Sequence, residues 1–518
     1  MHKIRKQVHI RIIGDYDVDG VTSSHLFLTA LRRVGAKVDV VIPHRIQDGY
    51  GLSLHLLQQA KEDGVDTILT CDNGIAAIDE IAWAKAQKMT VLVTDHHAVP
   101  FEEHEGRRTE KKSLADAVVN PHQQDCGYPY KELCGAGVAW NVIRVLYENY
   151  DMDKREAEDL LDFVAMATVC DVMSLTGENR ILVKEGLKRI RHTKNIGLQA
   201  LMQACNVQPE NISAYHFGYV LGPCVNATGR LDTARHALRL FETGQETEAE
   251  EIARDLVDLN QERKELTLQG VEMAKKLCEE GGYENDPVLV LFLPDVHESI
   301  AGLIAGRIRE MYNRPVFVLT RGEEGVKGSG RSTENYSMYE NMCGCVELFT
   351  KFGGHPMAAG LSLPEENVEK FRRKINENCP LTVEEVCPDI HIDMAMPVGY
   401  ASTELVHQFA LLEPFGKDNP SPLFADRNLS ISRMWLIGKN RNVLRMSVLS
   451  EYGQPVPVIF FGDVETLFAY FTEKFGQEEV ENALHGRKNR ILFSMVYTAK
   501  IDFYQGNENL QLEMKYYR

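Results

Sequence analysis

The sequence predicts an α/β protein of several domains, with a parallel sheet first, a long helix leading to a smaller α/β unit, and a β-barrel at the end. Three observations support this prediction. The chain has 518 residues, and a single core seldom grows beyond about 250 residues. Short apolar runs alternate with helical patterns up to residue 175. Beyond residue 418, short strand patterns dominate.

The first domain, which we expect over residues 1–200, repeats a strand and helix pattern. Five runs resemble strands: VHIRIIG, KVDVVIPH, VDTILTCDNG, TVLVTDHH and LADAVVNP. Amphipathic segments between them predict helices: SSHLFLTALRRVG, LSLHLLQQAKEDG and IDEIAWAKAQKM. This alternation is typical of a parallel, doubly wound sheet, in which ligands bind beyond the carboxyl ends of the strands.

Residues 201–285 are predicted to form a helical connector. It ends in the charged segment ETEAEEIARDLVDLNQERKELTLQGVEMAKKLCEEGG, which is long enough to bridge two domains. A solvated helix face remains the simpler explanation for most of these charges. Strand patterns return at PVLVLFLP and RPVFVLTR, with the helix SIAGLIAGRIREMY between them, and predict a second α/β unit over 286–380.

The C-terminal part predicts a small barrel. The Pro- and Gly-rich stretch LEPFGKDNPSPLF indicates a boundary, so we interpret 381–417 as a linker and 418–518 as the last domain. Five strand patterns in this domain suggest a barrel of the OB type. Basic and aromatic residues alternate there, which is the combination that binding of single-stranded nucleic acid requires. Each aromatic residue by itself is more easily explained as part of the hydrophobic core. They are Arg433, Lys439, Arg441, Arg445, Arg487, Lys488 and Arg490 with Trp435, Phe503 and Tyr504.

The composition is that of an ordinary folded protein, with 44% hydrophobic and 25% charged residues. No apolar run approaches the length of a membrane span, and the start of the chain passes directly into a strand pattern, so we expect a cytoplasmic protein without membrane contact. The eleven cysteines have irregular spacings and are interpreted as reduced thiols. The net charge of −18 argues against a protein that coats nucleic acid, but all of it lies before Asp418.

Polar side chains collect where predicted strands end, and one more lies in an apolar helix. Since neighbouring strand ends are only about 5 Å apart, these groups would share one pocket. So many carboxylates cannot ionise together without a cation, and a mixture of Asp and His without Cys favours Mn²⁺ or Mg²⁺, with two ions typical of phosphoester hydrolysis. The residues are Asp15, Asp17, Asp19, Asp72, Asp95, His96, His97 and, in the helix, Asp171.

Each element of this cluster has a simpler explanation when taken alone. A calcium loop beginning at Asp15 would need Glu at its twelfth position, where the chain has Leu26. Asp72 before Asn-Gly is compatible with a plain turn, and the two histidines with polar caps. Asp171 is the hardest to explain structurally, because an unpaired carboxylate in an apolar helix is costly.

The motifs GDYDVDG, CDNG, TDHH and TVCDVMSL resemble, in order and spacing, those of the DHH phosphoesterase superfamily. The later motifs resemble the signatures of one family within it, the RecJ family of single-strand-specific 5′→3′ exonucleases: LCGAGVAW, GPCVNATGRL, HESIAGLIAGRIREMYNRPVFVLT, KGSGRS, FGGHPMAAG and LEPFGKDNPSP. The resemblance extends from about Val8 to Arg518. It implies a DHH domain, a DHH-associated domain and an OB-like nucleic-acid-binding domain.

The resemblance also implies roles for residues of the cluster. The metal ligands would be Asp17, Asp19, Asp72, His96 and Asp171. Asp15 and His97 would complete the catalytic site as second-metal, water-positioning or phosphate-contacting groups. Apart from the resemblance, the position of Asp95 beside the histidines suggests that it orients its neighbour. Two positions depart from the family pattern: Ile13 stands where many relatives have His, and Cys224 where Arg is common.

A second set of residues would bind the nucleic acid and its 5′-phosphate. Arg and Ser donors with close glycine backbone suit a terminal phosphate, and the resemblance implies that such a pocket sets the polarity of cleavage. For the glycine motif alone, a tight turn is the simpler explanation. The residues are Arg45, Asn226, Arg230, Ser329, Arg331, Gly353, Gly354 and His355.

These features together predict a nuclease. The resemblance implies a monomeric enzyme that degrades single-stranded DNA to 5′-mononucleotides in DNA repair and recombination, with a helicase and a single-strand-binding protein as possible partners. One alternative is a phosphodiesterase of the same superfamily acting on short oligoribonucleotides or cyclic dinucleotides. Another is a non-catalytic single-strand-binding scaffold.

Overall fold

The computed structural model describes residues 1–45, 48–49, 51–104, 107–283, 286–322, 325–382, 390–438, 441–504 and 507–518. Lys439 of the predicted basic set lies outside the described residues, as do the side chains of Phe503 and Tyr504. The chain forms two compact units, Met1–Pro388 and Asp389–Arg518.

The first unit begins with the predicted parallel sheet. Its strands are β1 (Ile10–Ile13), β2 (Val38–Val41), β3 (Thr67–Cys71), β4 (Thr90–Thr94) and β7 (Ala117–Val119), in the order β2-β1-β3-β4-β7. All four pairings are parallel. A hairpin of β5 (Phe101–His104) and β6 (Arg107–Glu110) is inserted after β4. The doubly wound sheet is therefore confirmed.

Helices cover both faces of this sheet, which is why β1 and β3 are buried along their whole length. Side chains such as Ile12 and Leu69 pack against helices on one face, and Ile13 and Ile68 pack against helices on the other. The helices of this lobe are α1 (His2–Arg5), α2 (Val18–Arg33), α3 (Leu54–Glu62), α4 (Ile78–Ala86), α5 (Gly135–Glu148), α6 (Arg155–Glu158), α7 (Leu161–Cys170), α8 (Gly177–Ile190), α9 (Ile196–Ala204), α10 (Ala214–His216), a π-helical turn (Phe217–Leu221), α11 (Gly222–Leu231) and α12 (Ala234–Glu242).

The charged segment forms one long helix, α13 (Glu246–Glu280). At about 1.5 Å per residue it is some 50 Å long. Ala249 and Leu256 at its start belong to the core of the first lobe, whereas Val271 and Ala274 near its end belong to that of the second. The helix therefore joins two lobes, and the packing of the first lobe continues well beyond the boundary expected at residue 200.

The second lobe of this unit has a mixed sheet. Its strands are β8 (Leu289–Phe292), β9 (Val316–Gly322), β10 (Gly325–Arg331), β11 (Lys351–His355) and β12 (Ala358–Leu363), in the order β11-β12-β10-β9-β8. Only the β8–β9 pairing among these is parallel. The helices are α14 (Ala301–Tyr312), α15 (Met338–Cys343) and α16 (Val368–Glu377).

The second unit is a closed barrel. Five strands pair in the order β14 (Phe424–Ile437), β15 (Val443–Leu449), β16 (Pro455–Phe460), β18 (Asn507–Tyr517) and β17 (Leu492–Tyr504). Strand β17 pairs again with β14, and this is the strand order of an OB fold. The predicted barrel is confirmed. The strands and helices of this unit are β13 (Met394–Ala395), α17 (Thr403–Phe409), β14 (Phe424–Ile437), β15 (Val443–Leu449), β16 (Pro455–Phe460), α18 (Val464–Phe475), α19 (Gln477–Leu484), β17 (Leu492–Tyr504) and β18 (Asn507–Tyr517).

The stretch interpreted as a linker contributes to this barrel domain. Strand β13 pairs with β14, and the side chain of Val398 is fully buried in the barrel core. The hydroxyl of Tyr497 donates a 2.8 Å hydrogen bond to the carbonyl oxygen of Met396. The domain therefore starts before residue 418, because these apolar residues complete its core.

Two global features concern the described part of the chain as a whole. None of its helices combines the length and the apolarity needed to cross a membrane. Its ten cysteines are all free thiols.

Candidate functional site

Three neighbouring strands deliver polar side chains to one edge of the first sheet. Asp15 follows β1, Asp72 follows β3 and His96 follows β4, and their side chains are buried, with at most 8% of their surface exposed. Asp72 adopts a left-handed backbone conformation with φ of 60°, which Asp tolerates better than most residues. This turn directs its carboxylate across the strand ends.

The imidazole of His96 faces three carboxylates. Its Nε2 lies 3.1 Å from Oδ1 of Asp72, 3.7 Å from Oδ2 of Asp19 and 3.6 Å from Oδ2 of Asp171. Asp171 reaches this position because it directly follows the last turn of α7. Within the described residues, His96 Nε2 is buried and makes no hydrogen bond. A buried nitrogen in this setting fits a metal ligand.

The ligand-capable atoms form overlapping groups. In each group, one atom from every residue lies within 4.8 Å of the others: Asp72, His96 and His97; Asp19, His96 and Asp171; Asp15, Asp17 and Asp72. Asp72 and His96 each belong to two groups, which suits two neighbouring ions that share ligands. All seven residues predicted for the catalytic site are brought together.

The electrostatics of the cluster also fit a cation. Burial is the main cause that raises the pKa of Asp15, Asp17 and Asp72. The second cause is repulsion by a neighbouring carboxylate. Asp17 repels Asp15, and Asp19 repels both Asp17 and Asp72. Burial lowers the pKa of His96, which favours the neutral form that binds metal. A divalent cation would let these carboxylates ionise together. Acidic and histidine groups are thus positioned to bind metal ions.

Asp19 is held by the start of helix α5. Its Oδ2 accepts a 2.6 Å hydrogen bond from the amide of Gly135, and its Oδ1 a 2.8 Å hydrogen bond from the amide of Ala136. The partial positive charge of a helix N-terminus stabilises a carboxylate there. Sequence reasoning missed this role, although both residues lie in the LCGAGVAW motif.

Gly135→Ala is expected to disrupt the metal centre. A Cβ at this position would lie 2.7 Å from Cβ of Asp72 and 3.0 Å from Oδ2 of Asp19, so both ligands would have to move. We expect at least a ten-fold loss of metal-dependent activity and a destabilisation of about 1–3 kcal/mol. Enzyme assays and thermal unfolding would measure the two effects. Gly127→Ala is the matched control, since no atom lies within 4 Å of its Cβ; equal behaviour of the two variants would contradict the assignment.

Asp95 orients the two histidines. Its Oδ1 accepts hydrogen bonds from the amide of His96 (2.7 Å) and pairs with Nδ1 of His97 (2.7 Å), and its Oδ2 accepts from the amide of Ile75 (2.9 Å). Burial lowers the pKa of His97, but the hydrogen bond to Asp95 and the charges of Asp95, Asp171 and Asp19 together outweigh burial and raise the pKa to about 9. With Nδ1 held by Asp95, Nε2 is the nitrogen through which His97 can contact a ligand.

A second site lies where the two lobes of the first unit face each other. It is a cavity of about 390 Å³. Arg230 donates a 2.7 Å hydrogen bond to the carbonyl oxygen of Ser299, and Arg331 donates one of 2.7 Å to the carbonyl oxygen of Gly330 and one of 3.3 Å to the hydroxyl of Ser329. The polar lining residues are Tyr16, Arg45, Arg230, Glu298, Ser299, Thr320, Lys327, Ser329, Arg331, Lys351 and Ser362.

The charges of this cavity favour an anion. Burial lowers the pKa of Arg230 to about 10 and also lowers the pKa of Arg331, and the charge of Arg45 is the second cause in both cases. Glu298 is already paired with Lys327 at 2.9 Å. A bound phosphate would relieve the repulsion among the guanidinium groups and accept their hydrogen bonds. We refer to this cavity as the phosphate pocket, after the ligand that the sequence predicts for it.

The phosphate pocket adjoins the metal centre through Tyr16. This residue lines the pocket and stands in the chain between Asp15 and Asp17. The guanidinium of Arg45 lies over its ring, 4.9 Å from the centroid. Tyr16, Lys327 and Lys351 were not predicted as site residues, although each lies in or beside a motif that the sequence makes visible.

Four other predicted binding residues do not line the pocket. Gly353, Gly354 and His355 follow its lining residue Phe352 on β11. Gly354 has a φ of 155°, and a Cβ there would lie 2.5 Å from the carbonyl oxygen of Ala358, so this glycine serves a tight hairpin. Asn226 accepts a 3.1 Å hydrogen bond from the amide of Val18 and thereby anchors the start of α2 beside the metal centre.

The two residues that depart from the family pattern, Ile13 and Cys224, are both buried. Ile13 has no exposed surface and packs in the core between the sheet, α3 and α4. Cys224 is buried, with its Sγ 3.8 Å from that of Cys205 and 3.4 Å from Nδ2 of Asn260. Neither side chain contributes a donor to the metal centre.

The barrel carries part of the predicted basic and aromatic set on its surface. The guanidinium of Arg433 lies 5.6 Å from the ring centroid of Trp435, and 37% of the Trp435 surface is exposed. Arg445 and Arg490 are instead paired, with Asp502 at 3.5 Å and Glu479 at 2.8 Å respectively. Arg433 and Trp435 therefore present a guanidinium group and an aromatic ring next to each other on the surface of this unit.

Comparison with known proteins places these domains in a family. Three family models match in succession: "DHH family, N-terminal domain" over residues 9–168, "DHHA1 domain" over 285–379 and "RecJ OB domain" over 392–516. The Haemophilus influenzae protein named single-stranded-DNA-specific exonuclease RecJ is 33% identical over 98% of this chain and 88% of its own length. The Bacillus subtilis protein of the same name is also 33% identical, over 87% of this chain; the match spans 56% of that longer protein.

A solved structure has the same fold. The crystal structure of RecJ from Thermus thermophilus in complex with Mn²⁺ superposes with a TM-score of 0.80 at 26% identity, covering 100% of this chain and 70% of that one. The order of domains, the ligand cluster and the extent of the sequence match all agree. The protein therefore belongs to the RecJ family of DHH phosphoesterases.

Proposed function

We propose that this protein is a metal-dependent exonuclease that degrades single-stranded DNA from its 5′ end and releases 5′-mononucleotides, in DNA repair and recombination. One observation carries the proposal: the phosphate pocket lies directly beside the metal centre, with Tyr16 lining the first and its neighbours Asp15 and Asp17 belonging to the second. A terminal phosphate bound in the pocket brings the first phosphodiester towards the carboxylates. The position of the pocket would thus place the bond after the first nucleotide at the metal centre.

The chain's own residues prepare this reaction. Arg230 and Arg331 are fixed by their hydrogen bonds to Ser299 and Gly330, so they meet the terminal phosphate without reorganising. Asp19 is held by two backbone amides and His97 by Asp95. When bound, divalent cations such as Mn²⁺ or Mg²⁺ supply water activation and neutralise the charge that develops on the phosphate. Asp17, Asp19, Asp72, His96 and Asp171 would hold them.

The proposal also includes a role for the barrel, a location in the cell and partner proteins. Arg433 and Trp435 offer a cation and an aromatic face to a single strand, which suits binding without sequence preference. We propose a cytoplasmic monomer that receives strands opened by a helicase or covered by a single-strand-binding protein. The rival substrates, short oligoribonucleotides and cyclic dinucleotides, are less well supported, because neither requires the barrel.

An end-labelling experiment tests this function. The purified protein is incubated with Mn²⁺ or Mg²⁺ and with DNA, RNA or duplex carrying a label at either the 5′ or the 3′ end. We expect labelled mononucleotide early from 5′-labelled single-stranded DNA and only late from 3′-labelled DNA. Preferential cleavage of dinucleotides or short RNA would favour the rival phosphodiesterase, and binding without cleavage would favour the scaffold.

A further inference from the structure

Two tyrosines are unusually exposed near the metal centre. Tyr215 and Tyr219 have 62% and 71% of their surface exposed. Their rings are stacked, with centroids 5.1 Å apart and planes inclined by 23°. Aromatic side chains usually bury most of their large apolar surface, so a stacked pair in the open presents ring faces available to a ligand. We call Tyr215 and Tyr219 the tyrosine pair.

The backbone that carries the pair is itself unusual. Tyr215 lies in α10 and Tyr219 in the π-helical turn Phe217–Leu221, which continues into α11. Such turns are rare and frequently occur at functional sites. The π-turn packs on the end of α7, since the thiol of Cys170 donates a 3.3 Å hydrogen bond to the carbonyl oxygen of Phe217. Cys170 immediately precedes the candidate ligand Asp171.

The helix that follows the pair runs past both sites already described. A Cβ at Gly222 would lie 2.3 Å from Sγ of Cys170, and one at Gly229 would lie 2.4 Å from the carbonyl oxygen of Tyr16, so both glycines permit close passage. Asn226, between them, binds the amide of Val18 beside the metal centre. Arg230 at the end of α11 lines the phosphate pocket. Along this helix the order is therefore phosphate pocket, metal centre and tyrosine pair.

We propose that the tyrosine pair is a stacking platform for bases of the substrate strand, on the 3′ side of the ester that is cleaved. The proposal rests on the proposed function and adds positioning residues to it. Tyr219 and Arg230 are eleven positions apart, which corresponds to about 16 Å along a helix. At about 3.4 Å per stacked nucleotide, this distance spans about five nucleotides, so the pair would meet roughly the fifth nucleotide when the 5′-phosphate occupies the pocket. Base stacking is tolerant of sequence, as a general exonuclease requires.

The platform is tested by combining protein and DNA changes. The variants are Tyr219→Ala and the double change Tyr215→Ala with Tyr219→Ala, with Tyr219→Phe as the conservative substitution. Val145→Ala is the matched surface control, because this residue is 58% exposed near the end of α5. The ligands are 5′-phosphorylated oligothymidylates with one abasic residue at each of the first eight positions. Binding is measured by fluorescence anisotropy with EDTA, and cleavage is measured separately with Mn²⁺.

The double variant is expected to bind the complete strand about ten-fold more weakly or worse, with a raised KM and little change in kcat. An abasic residue at one or two adjacent positions should weaken wild-type binding similarly and have no further effect on the double variant, while Tyr219→Phe and Val145→Ala retain the wild-type pattern. The proposal would be contradicted if the double variant showed the same dependence of binding on the abasic position as the wild type. It would also be contradicted if an abasic residue weakened wild-type binding equally at every position. If the wild type binds strands but does not cleave them, the proposed function is contradicted. The stacking proposal is still tested in that case, because binding is measured without metal.

Discussion

Asp72→Ala should abolish cleavage while leaving the binding of single strands largely intact. Asp72 takes part in two of the three ligand groups, with His96 and His97 on one side and with Asp15 and Asp17 on the other. Its removal deprives both candidate ion positions of a carboxylate, so we expect a fall in turnover on the order of 10³-fold or more. Initial rates on 5′-phosphorylated single-stranded DNA, at saturating Mn²⁺, measure this effect.

Thermal unfolding provides an independent measurement on the same variant. A metal that binds the folded state raises the melting temperature of the wild type, since it offsets the repulsion among buried carboxylates. In Asp72→Ala this increase should be much smaller, although the metal-free variant need not be less stable, because one repelling carboxylate is gone. Asp79→Ala is the control, as this residue lies in the first turn of α4 and belongs to none of the candidate ligand groups found in the described residues. Simultaneous loss of cleavage and of strand binding would instead identify Asp72 as a structural residue.

Arg331→Ala should remove the preference for a 5′-phosphate. Its guanidinium is fixed in the phosphate pocket by Gly330 and Ser329 and shares the pocket with Arg45 and Arg230. A hydrogen bond to a charged group contributes about 1.5–3 kcal/mol, so KM for a 5′-phosphorylated strand should rise on the order of 10- to 100-fold. KM for the same strand with a 5′-hydroxyl should change little. Steady-state kinetics on the two strands measure the difference.

Two variants make this experiment specific. Arg331→Lys keeps the charge but loses the planar donor set, so it should restore the preference only partly. Arg321→Ala removes an arginine of the same sheet that is paired with Glu365 at 2.9 Å and does not line the pocket, so it should behave as the wild type. An equal decrease on phosphorylated and unphosphorylated strands would show that the pocket does not recognise the 5′ end.

Much of the fold followed from the chain itself. The alternation of apolar runs and amphipathic segments predicted the parallel sheet, because the side-chain periods of strands and helices differ and are visible in any single sequence. The five strand patterns after residue 418 predicted the barrel in the same way. The start of the barrel domain was not visible, because Met396 and Val398 belong to its core only through contacts with distant strands. Helices α18 and α19, inserted before β17, were also not predicted.

The sequence by itself determined the chemistry of the metal centre: Asp and His at strand ends, without cysteine, in motifs whose order resembles one superfamily. Only the tertiary structure decided which groups share an ion and which residues hold them. The contact between Asp19 and Gly135 joins positions 116 residues apart, and the phosphate pocket combines Tyr16 with Arg331 from another lobe. Such contacts leave no local periodicity in a sequence, because they depend on how complete elements pack together. For the same reason the exposure of Tyr215 and Tyr219 became visible only in the folded chain.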